Sequence, residues 1–438
     1  MIHRQPRTPS VPTYYQVSAG PGLGRSPLTG PNTAEVVIVG GGYAGLATAL
    51  SLAERGQKGV VLLEAAEVGF GASGRNGGFV FAGFSRSEAS LLRALGPKRA
   101  RRLYASTVAA VHLVRERIRR YAVDCELVDQ GVIWANWFRD DRPLRARQQL
   151  LAATYGCDWQ WLSPAELKQR VASPRYHAGL FEADALHLNP LKWARGLASA
   201  ALGLGVLIHE HSAVTELTRQ PGGWRLRTAG GAYIDAPKVV LACGGYLAGL
   251  VARIDRSVLP IATYAMATEP LGERLATIFP GTRAAVYDSR FAFDYFRPMA
   301  DTRLLWGGRI SIRDREPLAV ARLLSADLAK VFPQLGAVRI DHAWSGLMSY
   351  ARHEMPELGE IEPGLWYAQA FGGHGQATTI AAGEAIATAL TEGPAAIADY
   401  APFGLAWAGK PLGTLIAQIN YSWLQSRDWL KSLGERVF

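Results

Sequence analysis

The chain has 438 residues, of which 49% are hydrophobic and 19% are charged, so its composition excludes a disordered or fibrous protein. The 47 Lys and Arg against 37 Asp and Glu give a formal charge of +10, and only three cysteines are present. Their spacing is not that of a metal site, so we expect neither a disulfide framework nor a bound metal, and we expect a reducing, cytoplasmic location. The N-terminus lacks the apolar run of a secretory signal, and the longest apolar stretch, about a dozen residues, is too short to span a bilayer.

The positive charge is concentrated in two segments. Residues 1–30 carry three arginines and no acid, and residues 93–120 carry nine basic residues against Glu116. In the second segment Arg115, Arg117 and their neighbours surround a helix whose other face is aliphatic, without interleaved aromatic residues. This pattern is typical of a solvated helix face, and the alternative is a surface that binds tRNA or another polyanion.

The first predicted elements follow an irregular arm, rich in Pro and Gly, over residues 1–33. A short β-branched strand over 35–39 is followed by a helix over 42–55 and by a second buried strand over 60–63. A strand–helix–strand unit of about thirty residues is typical of a doubly wound α/β sheet.

The sequence predicts further helices and strands in the remainder of the chain. The helices are expected at about 91–121, after a capping box at 163–166, at about 190–202 and at 381–390. The strands are expected at 206–208, 213–217, 224–227, 239–243, 261–268, 290–298, 303–310 and 365–369. The strands between about 258 and 344 are typical of an antiparallel sheet rather than of further βαβ units.

The first functional motif is the GxGxxG sequence Gly40–Gly45, which directly follows a strand and opens a helix. Gly40 permits a tight turn, Gly42 allows the backbone to approach a pyrophosphate, and Gly45 allows helix and strand to pack closely. Glu64 ends the next strand, where an acid accepts hydrogen bonds from a ribose diol. The unit therefore predicts a dinucleotide site, and the acid favours FAD or NAD over a cofactor with a 2′-phosphate.

Two further small-residue segments extend this prediction. Residues 69–78 indicate backbone running along an extended ligand, with Ser73, Arg75 and Asn76 as polar groups. Residues 238–246 taken alone indicate only a strand that meets a turn.

A second Gly-rich strand–turn–helix lies at residues 371–376. Its helix N-terminus would stabilise another electron-rich part of the ligand, such as an anionic reduced flavin ring. His374 lies within this turn, so it either faces the cofactor or substrate or is structural.

Together these segments resemble the FAD-dependent D-amino-acid oxidase superfamily, specifically its glycine/sarcosine oxidase branch, and are most similar to the gamma-glutamylputrescine oxidase-like group. The matching motifs extend from about residue 13 to 400: Thr13–Tyr15, GGGYAGLATALSLAERG at 40–56, EVGFGASGRNGG at 67–78, His187–Pro190, Asp294–Arg297, Arg303–Gly308, Trp344–Gly346 and FGGHG at 371–375.

The resemblance implies an α/β fold in which a Rossmann-like FAD-binding domain is interleaved with a substrate domain built on an antiparallel sheet that roofs the flavin. The implied segments are the N-terminal arm (1–33), the FAD-binding parts (34–90, 186–257 and 344–395), the substrate-domain parts (91–185, expected to be helical, and 258–343) and a C-terminal segment (396–438).

The resemblance also implies which residues contact FAD: Tyr43 and Ala44 the pyrophosphate, Glu64 and Ala65 the ribose, and Val214 the adenine. The full expected set is Gly40, Gly42, Tyr43, Ala44, Gly45, Glu64, Ala65, Ser73, Gly74, Arg75, Asn76, Gly77, Gly78, Val214, Ala242, Gly244, Gly346, Gly372, Gly373, His374, Gly375 and Gln376.

The implied reaction is hydride transfer from the carbon next to an amine nitrogen to flavin N5. The imine then hydrolyses to a carbonyl compound and an amine, and oxygen reoxidises the flavin to give H2O2. The expected partners are a small amine or amino-acid-like substrate and an electron acceptor, without nucleic acid. The candidate catalytic residues are His374, Tyr264, Arg297 and Arg309, the two arginines as partners of a substrate carboxylate.

Two departures from the family pattern qualify these expectations. The Cys or His positions that hold a covalent flavin in relatives are not filled, so we expect noncovalent FAD. No lysine lies between Lys238 and Lys330, although sarcosine oxidase-like members use one to activate oxygen. A dehydrogenase that passes electrons to a carrier or quinone is therefore an alternative to an oxidase.

The segment Leu412–Leu430 is amphipathic and carries Trp423 and Trp429. Such a segment either docks on a membrane surface or packs on the protein itself, and we expect packing.

Overall fold

The computed structural model describes residues 12–410 and 412–437, with side chains up to Glu435. Residues 1–11, with Arg4 and Arg7 of the predicted arm, lie outside the described residues. The rest of the arm is not wholly irregular, because Thr13 caps a short helix through a capping box with Gln16.

The described residues form strands that belong to four sheets. The strands are β1 (Pro31–Thr33), β2 (Val36–Val39), β3 (Val60–Leu63), β4 (Phe79–Val80), β5 (Val132–Ala135), β6 (Gln160–Leu162), β7 (Gly179–Glu182), β8 (Leu186–His187), β9 (Leu207–His209), β10 (Val214–Gln220), β11 (Gly223–Thr228), β12 (Tyr233–Ala236), β13 (Lys238–Leu241), β14 (Val258–Thr268), β15 (Ala285–Asp288), β16 (Tyr295–Pro298), β17 (Leu304–Ser311), β18 (Ile340–Ala351), β19 (Glu357–Glu362) and β20 (Leu365–Gln369).

The α-helices are distributed between and around these sheets. They are α1 (Tyr14–Ser18), α2 (Tyr43–Glu54), α3 (Glu88–Arg120), α4 (Arg142–Leu150), α5 (Pro164–Arg170), α6 (Pro190–Gly203), α7 (Ala252–Asp255), α8 (Pro317–Val331), α9 (Gly375–Glu392) and α10 (Gly413–Val437).

A six-stranded sheet has the spatial order β19–β20–β13–β2–β3–β9, and all neighbours from β20 to β9 run parallel. The strands VVIV and VVLL are buried along their whole length, as expected for parallel strands covered on both faces. Val36 and Ile38 pack in the core with α2 and α9, whereas Val37 and Val39 pack on the other face, in one core with side chains of β11 and β12. The predicted doubly wound α/β fold is confirmed.

The second large sheet, here called the roof sheet, has the order β18–β14–β17–β16–β15–β5–β7–β6. It is antiparallel except for the pair β15 and β5. Strands β5, β6 and β7 come from the segment 91–185, which we expected to be helical, and each spans only three or four residues. Strands this short carry little periodicity, so only pairing in the folded chain identifies them.

Several predicted elements differ in their bounds, among them the helix predicted at 381–390, which is α9 and begins at Gly375. The strand predicted at 290–298 begins only at Tyr295, because the Asp288 carboxylate accepts backbone N–H groups and holds the preceding residues in a loop. The helix predicted at 91–121 is α3, which is bent at Gly96, where φ is 72°.

Helix α10 lies along the roof sheet on one side only. Gln418 accepts the backbone N–H of Ile312, and Asp428 accepts that of Phe291. On the opposite side Ile416 and Trp423 are 63% and 61% exposed, so the predicted packing of this segment applies to one face. Within residues 12–410 and 412–437, no helix combines the length and hydropathy needed to cross a bilayer.

Candidate active site

A cavity of about 1460 Å³ lies between the six-stranded sheet and the roof sheet. Its wall includes Gly40, Glu64 and Ala242, which directly follow β2, β3 and β13. The carboxyl ends of parallel strands are where open α/β sheets bind ligands. The volume exceeds the roughly 300–1,000 Å³ of ordinary small-molecule pockets, so a dinucleotide and a substrate fit together.

Most residues predicted to contact FAD line this cavity: Gly40, Gly42, Tyr43, Ala44, Glu64, Ala65, Ser73, Arg75, Asn76, Gly77, Val214, Ala242, Gly244, Gly346, Gly372, Gly373, His374, Gly375 and Gln376. Gly45, Gly74 and Gly78 do not line it. A Cβ added at any of these three would collide with a backbone carbonyl oxygen. Their role is therefore to let the surrounding turns close, not to touch a ligand.

The turn between β2 and α2 is shaped for close approach of a ligand backbone. Gly40 has φ 116°, and a Cβ there would lie 2.6 Å from the carbonyl oxygen of Ala242. The Glu64 carboxylate accepts the N–H of Gly41 at 2.6 Å and that of Ala66 at 2.9 Å. Burial raises the pKa of Glu64, and these N–H groups oppose that shift. The acid is thus fixed at the cavity wall, as a ribose-binding carboxylate requires.

Side chains from three separate glycine motifs meet at one network. Ser73 accepts the N–H of Tyr43 at 2.9 Å, which joins the 69–78 loop to the start of α2. Gln376 in the first turn of α9 donates to Tyr43 at 3.1 Å and to Asn76 at 3.0 Å. The Oε1 atom of Gln376 is buried without a partner among the described residues. Three features therefore fit a bound dinucleotide: glycine turns that a ligand can approach closely, the fixed carboxylate of Glu64, and the unpartnered acceptor Oε1 of Gln376.

Two predicted substrate residues lie outside the cavity wall. Arg297 is 1% exposed and donates to the carbonyl oxygen of Gly77 at 2.7 Å and to Tyr15 at 3.3 Å. Tyr264 is also 1% exposed and donates to the carbonyl oxygen of Arg313 at 2.6 Å. Because side chains alternate along a strand, a position on the roof does not by itself direct a side chain to the cavity. Arg297 instead supports the 69–78 loop.

The other two predicted substrate residues, Arg309 and His374, line the cavity. Both Nε and Nη2 of Arg309 donate to the Asp327 carboxylate, at 2.8 and 2.7 Å, so its charge is already matched. His374 begins α9, and its ring makes no hydrogen bond to the described residues. Burial and the nearby Arg147 lower the pKa of His374 to about 4, so its imidazole is neutral at neutral pH.

An aromatic wall, here defined as Phe81, Trp134, Tyr287, Phe293 and Tyr295, faces the same space. Phe81 stacks on Tyr287 with ring centroids 5.5 Å apart, and its ring is 4.9 Å from that of His374. Phe81 and Trp134 lie in segments without a predicted strand, so the sequence does not indicate that they belong to this wall. The wall makes one side of the space beside His374 apolar.

Glu88 and Arg147 also line the cavity, and the sequence analysis missed both. They stand 59 residues apart and form an ion pair of 2.7 Å. No local motif marks either residue, so only the tertiary contact between α3 and α4 reveals them.

Within the described residues, four of the nine basic residues in the segment 93–120 pair with acidic side chains: Arg99, Arg102, Arg115 and Arg117. Arg115 pairs with Asp129 at 2.8 Å, and the exposed Arg102 pairs with Asp399. Arg117, which we expected on a solvated face, is 1% exposed. Over the described parts of the chain, no group of His, Cys, Asp and Glu is arranged to hold a metal.

Known proteins share this architecture. A family model described as FAD dependent oxidoreductase (DAO) matches residues 35–389. The oxidoreductase OrdL of Haemophilus influenzae is 34% identical over 385 residues, which is 87% of this chain and 88% of that protein. Gamma-glutamylputrescine oxidoreductase of Escherichia coli is 35% identical over 384 residues, 87% of this chain and 89% of that protein. The crystal structure of glycine oxidase from Geobacillus kaustophilus superposes with a TM-score of 0.72 at 24% identity, covering 86% of this chain and 99% of that one.

Proposed function

The chain belongs to the FAD-dependent oxidoreductase (DAO) family, and from this membership we propose that it is an oxidase of a primary or secondary amine. The overall change for a primary amine is RCH2NH2 + O2 + H2O → RCHO + NH3 + H2O2. The amine is oxidised to an imine, water hydrolyses the imine to the carbonyl compound, and oxygen takes up the two electrons and two protons. The observation that best supports this proposal is that the glycine motifs, the neutral His374 and the aromatic wall line one cavity.

When bound, FAD supplies the acceptor for the hydride that leaves the carbon next to the amine nitrogen. We assign its binding to the β2–α2 turn, Glu64, the 69–78 loop and the start of α9. No cysteine is among the cavity-lining residues near the last glycine motif, which supports noncovalent binding.

The aromatic wall and His374 prepare the amine for oxidation. An amine must lose its proton before a hydride can leave, and an apolar surrounding lowers its pKa. His374 is uncharged at neutral pH, so it does not repel an incoming ammonium group, and the apolar wall rather than this weakly basic imidazole promotes loss of the proton. Tyr264 and Arg297 are not part of this proposal, because neither lines the cavity.

A second candidate is an amine dehydrogenase that passes its electrons to a carrier or quinone. It is favoured by one observation: within the described residues, no lysine lines the cavity. The cytoplasmic location stays a prediction under either candidate.

The deciding experiment uses the purified yellow protein and an amine panel that contains gamma-glutamylputrescine, N-methyl amino acids, cyclic imino acids and D-amino acids. We expect one class to bleach the flavin absorption without air and to release H2O2 in air. Bleaching followed by slow recolouring in air, without stoichiometric peroxide, would select the dehydrogenase. A panel in which nothing bleaches the flavin contradicts both.

The lowered pKa of His374 predicts how stability depends on pH. Between about pH 6.5 and 4 the unfolded chain binds a proton that the folded chain does not, so the free energy of unfolding falls as the pH is lowered. We expect His374→Gln to remove about 3 kcal/mol of this fall, measured by urea unfolding at pH 7 and pH 4.5. Equal pH dependence of His374→Gln and the unmutated protein would contradict the assignment.

A further inference from the structure

One part of the cavity wall is polar and is not explained by the glycine motifs. Glu88 lies in the first turn of α3, Arg147 in the last turn of α4 and Trp134 in β5, and all three line the cavity with Tyr287. These elements are distant in sequence, and they converge beside His374, whose charge state both Glu88 and Arg147 influence.

Arg147 is held in one orientation. Its Nη2 donates to Glu88 Oε1 at 2.7 Å, and its guanidinium lies 4.5 Å from the ring centroid of Trp134 and 4.8 Å from that of Trp159. Burial raises the pKa of the Glu88 carboxyl, but the charge of Arg147 more than offsets this and the pKa is lowered. The pair is therefore charged at neutral pH, and the flat guanidinium is clamped between two indoles.

The pair leaves part of the guanidinium available to a ligand. Among the described residues, Arg147 donates to Glu88, and its guanidinium lies beside the hydroxyl of Tyr287, itself in the cavity wall. The Arg147 side chain is 20% exposed and lines the cavity. The part of the guanidinium that Glu88 does not occupy can therefore meet a ligand in the cavity.

The other arginines of the cavity are engaged differently. Arg309 is bound by both oxygens of Asp327, and Arg290 by Asp288 and Asp294. Arg75 donates through Nε to the carbonyl oxygen of Phe70 within the predicted flavin loop. Arg147 differs from them in its position between two indole rings and in its partner Glu88, whose second carboxylate oxygen makes no hydrogen bond to the described residues.

Resting on the proposed function, we infer that Glu88 and Arg147 form a subsite for the amino-acid end of the substrate, remote from the amine that is oxidised. The guanidinium binds the carboxylate, and Glu88 Oε2, which has no hydrogen bond to the described residues, binds the adjacent ammonium group. A zwitterionic end matches the pair in charge, since it leaves the buried subsite neutral, whereas a carboxylate alone leaves it with one net negative charge.

The first test compares three acyl derivatives of putrescine that differ only at the far end. The γ-glutamyl derivative has carboxylate and ammonium, the glutaryl derivative has carboxylate alone, and the butanoyl derivative has neither. We expect Arg147→Gln to lower kcat/KM for the two acidic probes roughly 10- to 100-fold more than it lowers kcat/KM for the butanoyl probe. Glu88→Gln should lower kcat/KM for the γ-glutamyl probe and affect the other two probes less. Arg145→Gln, at an exposed position on the same helix, is the matched control and should leave kcat/KM for all three probes unchanged.

The second test measures binding without turnover, by calorimetry with γ-glutamylbutylamide, which lacks the oxidisable amine. We expect Arg147→Gln to weaken the affinity for the butylamide roughly 10- to 100-fold. Arg147→Lys should weaken it less, because lysine keeps the positive charge but lacks the planar pair of N–H donors that binds both oxygens of a carboxylate. Equal losses for all three putrescine probes, or unchanged binding of the butylamide in both variants, would overturn the subsite. If the unmutated protein binds the butylamide but no amine bleaches its flavin, the proposed function fails and the subsite stands.

Discussion

Replacing Gly45 by alanine is expected to weaken FAD binding roughly 10- to 100-fold. A Cβ at this position would overlap the carbonyl oxygen of Gly40 and lie 3.3 Å from Ile38. Neither group can move, since one belongs to the turn that holds the dinucleotide and the other to the buried strand β2. Overpacking of this kind costs about 1–3 kcal/mol, and here it displaces the start of α2 from the cavity. The measurement is the dissociation constant of FAD after apoprotein reconstitution, with flavin absorption as the signal.

The control for this substitution is Gly203→Ala. Gly203 lies at the end of α6, and a Cβ there would meet no atom within 4 Å. We expect unchanged FAD binding and slightly greater stability, because alanine favours a helix more than glycine does. If Gly45→Ala retained FAD as tightly as Gly203→Ala, the close turn would not be required for the cofactor.

Replacing Arg117 by methionine is expected to lower the free energy of unfolding by about 3–5 kcal/mol. Arg117 of α3 is fully buried and joins two helices, with Nη2 2.7 Å from Glu384 of α9 and bonded also to Glu54 of α2. Removing the cation leaves Glu54 with only the hydroxyl of Tyr121 and leaves Glu384 with Arg55 as its cation, and breaking a buried ion pair in this way is strongly destabilising. Urea unfolding followed by tryptophan fluorescence measures the change.

Arg102→Met is the matched control on the same helix. Its ion pair with Asp399 is partly exposed, with side-chain exposures of 48% and 23%. Exposed pairs contribute about 0–1 kcal/mol, so we expect a small change. Equal effects of the two substitutions would mean that burial of the Arg117 ion pairs does not determine their contribution to stability.

The charge of the segment 93–120 illustrates a limit of sequence analysis. The excess of basic residues was evident, but their partners Glu54, Glu384 and Asp399 lie in distant parts of the chain. Charge counting along a segment cannot find such partners, and the same limit concealed the pair of Glu88 and Arg147.

Arg297 and Tyr264 show a related limit. Both were placed on roof strands, and β16 and β14 do form there. Which side of a strand faces the cavity depends on register, which is set by pairing with neighbouring strands and by the core beneath. Both side chains are buried within the protein, so the sequence-based assignment of these two to the substrate lacks support.

The sequence by itself determined the parts of this protein that depend on local pattern. Apolar runs fully buried on both faces predict β2 and β3, and glycines at fixed offsets predict a turn closed against a ligand, which together identified the family and FAD. Only the tertiary structure decided which side chains meet in the cavity. The aromatic wall, the neutral His374 and the clamped Arg147 arise from contacts between segments tens to hundreds of residues apart, and their orientation is determined by packing, which no local pattern records.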